Sequence, residues 1–161
     1  MFICFKKTYF YNILRDTMSE LKELIEKYIE LEDNFDEDNE EQAQKLHDLG
    51  HEIDHAVYHE EFVIVYNTDS EDEEVVALII SAEEDEAEEF FIPVYTSEEE
   101  AQKAIETFID EYGENHFACD KAVGHAIVEA YSDDEEFLGL AVDAPQCDFV
   151  IFSESVHDCC E

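Results

Sequence analysis

His51-Glu52-Ile53-Asp54-His55 is the segment whose residue types and spacing could most directly do chemistry. It matches H-E-x-x-H, in which two imidazoles one helical turn apart hold zinc and the intervening glutamate activates a water. The surroundings weaken the match. Asp54 puts a charge where such enzymes keep an uncharged residue, Tyr58 stands where the extended metzincin pattern requires glycine, and Glu61 stands where its third histidine belongs. The spacing continues beyond the motif, because His47, His51, His55 and His59 recur every four residues and stack four imidazoles along one helical face. At 100° per residue that face centres almost opposite Leu46, Ile53 and Val57, so the ladder is expected to face water. It then serves either as a solvated stripe that takes up protons among carboxylates or as a surface zinc or nickel site formed by an i, i+4 pair. The expectation is no catalytic residue, no cofactor and no resident metal. His51 and His55 are the metal candidates of the alternative reading, a zinc-dependent hydrolase.

His157-Asp158-Cys159-Cys160 brings thiol and imidazole together at the end of the sequence, a soft-metal or redox combination, but a site needs rigid ligands and chain ends fray. The remaining cysteines, Cys4, Cys119 and Cys147, bring the total to an odd five without the spacing of a disulfide framework, which fits a reducing cytosol. Cys119 and Cys147 fall at strand ends and are expected to be small buried hydrophobes. The four glycines, Gly50, Gly113, Gly124 and Gly139, are too scattered to build a phosphate loop, and no nucleophile elbow is present.

Composition narrows the classes further. The 161 residues are 45% hydrophobic, with twelve Phe and eight Tyr, enough for one domain with a real core. Against 46 acidic residues stand only 8 basic ones, a formal net charge of −38. Phosphate contacts need cations, so direct binding to nucleic acid or to an anionic membrane is not expected. The charge reads as surface saturation around an ordinary core; the sharper alternative is an acidic nucleic-acid mimic that blocks a basic groove on a partner protein. No apolar run approaches the roughly eighteen residues a membrane span requires, and the first residues place Lys6 and Lys7 after the apolar ones, unlike a signal peptide. A cytoplasmic location is expected. Residues 1–17 are read as a disordered or spurious extension, with Met18 as the true start, 18–153 as the domain and 154–161 as a flexible tail.

The elements that must position these residues follow from periodicity and capping. Ser19 looks like the N-cap of a helix carrying Leu21, Leu24, Ile25, Tyr28 and Leu31, and a second helix spans about 40–58. Phe62–Asn67 and Val75–Ile80 are β-branched runs joined by a polar turn, both expected to be buried on two faces, and Glu89–Tyr95 is a third strand beside them. Phe90-Phe91-Ile92-Pro93-Val94-Tyr95-Thr96-Ser97 runs straight into Glu98-Glu99-Glu100-Ala101, where Ser97 can cap the first turn and the acids suit the helix dipole. That helix ends at Gly113. Residues 116–119 read as a short strand, Asp120 as the cap of a further helix, and Phe137–Val142 and Asp148–Phe152 as a last hairpin around Pro145. The sum is an α+β domain: two N-terminal helices, then a mixed, mostly antiparallel sheet of five or six strands with two further helices packed on it.

Two of these segments resemble the SseB protein N-terminal domain family. One is Pro93-Val94-Tyr95-Thr96-Ser97-Glu98-Glu99-Glu100-Ala101, similar to the family's FTS-E-E-A core. The other is Leu138-Gly139-Leu140-Ala141-Val142-Asp143-Ala144-Pro145, where the family commonly has a Gly-Leu strand ending in Asn-Pro and this chain has Asp143-Ala144-Pro145. The likeness runs from about Ser19 to Phe152. It implies a cytoplasmic, non-enzymatic domain that acts through protein–protein contact or as a small regulatory module, with an unidentified protein partner and no catalytic residue to carry over.

Overall fold

The computed structural model describes residues 14–36, 38–69, 74–80, 89–113, 116–147 and 149–158, with side chains from Glu20 onward except those of Tyr112, His157 and Asp158. The order of elements is α1 (Leu14–Asp33), α2 (Glu40–His59), β1 (Glu61–Asn67), β2 (Leu78–Ile80), β3 (Glu89–Val94), α3 (Glu98–Tyr112), β4 (Phe117–Val123), α4 (Gly124–Ala130), β5 (Phe137–Val142), β6 (Phe149–Phe152) and α5 (Ser153–Asp158). The α+β class expected from the sequence is what forms. Its strands divide into an antiparallel pair, β1–β4, and a mixed sheet of order β2-β3-β5-β6 in which β3 and β5 run parallel.

β1 joins the two groups. Its Val63 exchanges backbone hydrogen bonds with Tyr95 at 2.9 Å, and it bridges Val75 through Tyr66. The three runs expected as neighbouring antiparallel strands are therefore adjacent, β2 with β3 as a ladder and β1 with the other two by bridges. Gly139 lets β6 close on β5: its φ is 151°, and a Cβ there would lie 2.0 Å from the Ile151 carbonyl oxygen.

Two layers account for the core. On one face of the strands, Leu21 and Ile25 of α1, Ile53 and Val57 of α2, Ile127 and Val128 of α4 and Val156 of α5 close over Phe62, Ile92, Val94, Leu140, Val142 and Ile151. On the other face lies α3, whose Ala101, Ala104, Ile105 and Phe108 cover Val63, Val65 and Tyr95 at the β1–β4 end. The rest of that second face carries a third buried cluster whose described members come from strands and the turn after β5: Phe91, Ala141 and Ala144, with Leu78 and Leu138 against them.

Several local expectations need correction. Ser19 does not cap α1, since the backbone is already helical from Leu14; Leu14-Arg15-Asp16-Thr17-Met18 holds no residue that breaks a helix. Residues 14–17 of the supposed extension thus belong to α1, and residues 1–13 lie outside the described residues. Asp120 caps nothing, because β4 runs on to Val123 in register with β1, pairing Asp120 with Ile64. The long-range ladder outweighs the local cap signal, and α4 begins with no side-chain cap at all. β2 is only three residues long, and its Ile79 and Ile80 are exposed where burial on both faces was expected. Residues 154–158 of the supposed tail lie in α5, whose Val156 is fully buried.

Candidate functional site

The parallel strands β3 and β5 end side by side, and there the two segments singled out in the sequence meet. Thr96 follows β3, and its backbone N–H and hydroxyl both donate to the Asp143 carboxylate, at 2.8 Å and 2.7 Å. Asp143 follows β5. Its own N–H donates to the Val94 carbonyl at 2.8 Å, its carbonyl accepts from Cys147 N–H at 2.9 Å, and its φ of 51° is a left-handed value that Asp and Asn tolerate better than most residues. Both Thr96 and Asp143 are buried.

A buried carboxylate needs compensation, and α1 supplies it. Lys22 reaches across to Glu100 Oε1 at 2.9 Å and Asp143 Oδ2 at 3.5 Å, and Lys103 approaches the same Glu100 oxygen at 3.3 Å. Partial burial alone would lower the Lys22 pKa, but Glu100 and Asp143 outweigh it and hold the ammonium above its ordinary value. Burial likewise pushes the Glu100 carboxyl up, and the hydrogen bonds and charges of Lys22 and then Lys103 outweigh that and hold it below its usual range. Glu100 is in place because Ser97 caps α3: Ser97 Oγ accepts from Glu100 N–H at 3.2 Å. Beside this cluster opens a cleft of about 220 Å³, walled by Ile25, Ile29, Val142 and Cys147 with Lys22, Glu100, Asp143 and Gln146 at its polar end. Carboxyl ends of parallel strands are where open α/β sheets place ligand crevices. Here Lys22, Glu100 and Asp143 are already engaged with one another, so the cluster locks α1 and α3 to the sheet.

The histidine face is elsewhere. His47, His51, His55 and His59 are all exposed, on the side of α2 opposite the buried Ile53 and Val57, as the helical period requires. Glu52 is also exposed, so the H-E-x-x-H segment points outward from the fold. The rings pair as His47 with His51, centroids 4.5 Å apart, and His55 with His59, 4.8 Å apart. Among the described residues no group of three or more His, Cys, Asp or Glu side chains is placed to hold a metal ion. Asp54 sits half-buried; its carboxyl is pushed up by burial and only partly drawn back by His51.

The cysteines divide differently from expectation. Cys119 is exposed on β4, and Cys147 is half-buried in the cleft wall. The expected small buried hydrophobe fits neither, because β4 lies at the margin of the sheet and the turn after β5 opens onto the cleft. Cys4, Cys159 and Cys160 lie outside the described residues.

Sequence reasoning did not foresee the apolar side chains left exposed on the edge strands β2 and β6, between which Phe91 and Ala141 are buried. On the second face of the mixed sheet, beyond the end of α3, Phe152 is 53%, Ile80 52% and Val150 40% exposed. Phe152 packs edge-on against Phe91 with ring centroids 5.7 Å apart, and cross-strand pairing sets Leu78 beside Phe91 and Val150 beside Ala141. The alternation Phe149-Val150-Ile151-Phe152 has no polar outward position, and that is the signal in the sequence that could have marked it. Among the described residues no helix is long and apolar enough to cross a membrane. Compared with protein-family models, curated proteins and solved structures, the chain matches none.

Proposed function

We propose that this chain is a non-enzymatic, cytoplasmic SseB-like domain that acts through protein–protein contact, using the exposed apolar side chains at the β6 edge of the β2-β3-β5-β6 sheet. The observation that carries the reading is the exposure of Ile80, Val150 and Phe152 together on one sheet face in a chain of net charge −38. So acidic a chain has every means of keeping outward positions polar, and large apolar side chains left exposed at the edges of the sheet, Val150 and Phe152 side by side on β6, mark a contact. The two segments that carry the family resemblance meet at the Thr96–Asp143 junction.

Charge complementarity specifies the partner. Exposed Glu89 lies across from exposed Ile80, and exposed Glu154 opens the helix that follows β6, so carboxylates accompany the exposed apolar residues at both edges. A basic protein segment carrying apolar side chains fits this arrangement: the side chains bury Phe152 and Val150, and the cations meet the carboxylates.

The test is affinity capture with wild-type chain and with the Val150→Ser/Phe152→Ser variant, followed by calorimetry on the purified partner. Both residues are exposed, so the variant keeps its fold, which circular dichroism checks. The expected outcome is a basic partner whose affinity falls about tenfold or more in the variant, as loss of a central aromatic contact does. Equal affinity for both proteins overturns the assignment of the β6 edge.

A further inference from the structure

Along α2, two imidazole pairs stand one turn apart on the water side of the helix. A residue four positions on lies about 6 Å further along the axis and nearly in line, so side chains at i and i+4 stand side by side and can reach one ion above the surface. Imidazole pairs at this spacing are the protein half of a zinc site. In this chain the proximity is visible in the ring contacts, His47 against His51 at 4.5 Å and His55 against His59 at 4.8 Å. The second pair is also backed from the side: Tyr58 lies edge-on to His59 with centroids 5.0 Å apart and stacks on His125, which bonds back to the Tyr58 carbonyl at 3.1 Å. His59 therefore has a neighbour that limits its rotamers, which favours chelation by reducing the ordering required.

We infer that the exposed face of α2 binds late first-row divalent cations, zinc foremost, through the His47/His51 and His55/His59 pairs. Imidazole nitrogen suits zinc, copper and nickel and discriminates against magnesium and calcium, which take oxygen ligands. Two protein ligands leave the remaining positions of the ion to water. The field of a chain with net charge −38 concentrates cations at its surface. It does so for every divalent ion, so selectivity for zinc over magnesium must come from the imidazoles.

The site differs from the protease motif it overlaps. That motif uses His51 and His55 with Glu52, whereas the ring contacts couple His51 to His47 and His55 to His59. No third ligand converges on either pair among the described residues, so the ions are held at the surface with open coordination.

Calorimetric titration of untagged, chelator-stripped protein with zinc chloride, in a background of excess magnesium, tests this. The wild type is expected to take up about two zinc ions per chain, and His47→Gln or His59→Gln about one. The variant with all four histidines replaced by Gln is expected to take up none, with its helical circular dichroism unchanged because all four side chains are exposed. Absence of zinc uptake by the wild type overturns the inference, as does uptake that persists in the fourfold variant. A single site insensitive to both His47→Gln and His59→Gln also overturns it, in favour of His51 and His55 acting alone.

Discussion

Asp143 accepts two hydrogen bonds from Thr96, one from its backbone N–H at 2.8 Å and one from its hydroxyl at 2.7 Å, although 47 positions separate them in the chain. That contact ties the end of β3 to the end of β5, and through Lys22 it ties α1 to both. Removing the carboxylate leaves a buried N–H and hydroxyl without their acceptor. Asp143→Ala is therefore expected to lower the unfolding free energy by about 2–4 kcal/mol. Asp143→Asn keeps an acceptor for Thr96 N–H and tolerates the left-handed φ, so its loss is expected to be under about half as large. Urea denaturation of both variants checks this; equal losses would show that charge, and not the hydrogen bonds, holds the junction.

The Lys22–Glu100 pair gives stability a pH dependence with a definite sign. The Glu100 carboxyl is held below its ordinary 4.5, so its contribution is present above that value and is lost as pH falls through the lower folded value. The Lys22 ammonium is held above its ordinary 10.5, so its contribution is present below that value and is lost as pH rises through the higher folded one. With the Lys22 side chain 42% exposed, screening limits the effect. Lys22→Met is expected to cost about 1 kcal/mol at pH 7, and the difference from wild type is expected to shrink in acid below about pH 4. Chemical denaturation across pH 3–9 measures it, and a gap that widens in acid would contradict the assignment.

Glu60 carries the opposite sign. Its half-buried carboxyl is pushed up by burial first and then by the charges of Glu20 and Glu61. When ionised it opposes folding, and that penalty disappears as pH falls from above its folded value to below the ordinary 4.5. Glu60→Gln is expected to raise the Tm at pH 7 by about 1–2 °C and to leave it unchanged near pH 4. A lower Tm at neutral pH would mean that the Glu60 carboxylate has a stabilising partner.

α5 is the prediction that bears on the end of the described chain. Val156 is fully buried in the main core, so Val156→Ala is expected to cost about 1.5–3 kcal/mol through lost burial and the cavity left behind. Thermal or urea unfolding monitored by tyrosine fluorescence reads it. A variant as stable as wild type would place α5 outside the cooperative unit.

Where a feature depends on neighbouring residues, the sequence alone settled it. Ser97 as cap, the glutamates of the first turn and Gly113 at φ 88° bound α3 as read, because capping hydrogen bonds and glycine's left-handed freedom act within a few residues. The outward phase of the histidine ladder followed in the same way from the period of the helix that buries Ile53 and Val57. What depends on distant partners did not show. Asp120 carries a good cap signal and sits in a strand, because pairing with Ile64 supplies backbone hydrogen bonds no local cap can match. Val156 looks like part of a tail and is core, since burial is set by what packs over a residue. The Thr96–Asp143 junction and the exposure of Ile80, Val150 and Phe152 were decided by tertiary structure, because strand order determines which groups meet and which side chains fall on edge strands and are left to water.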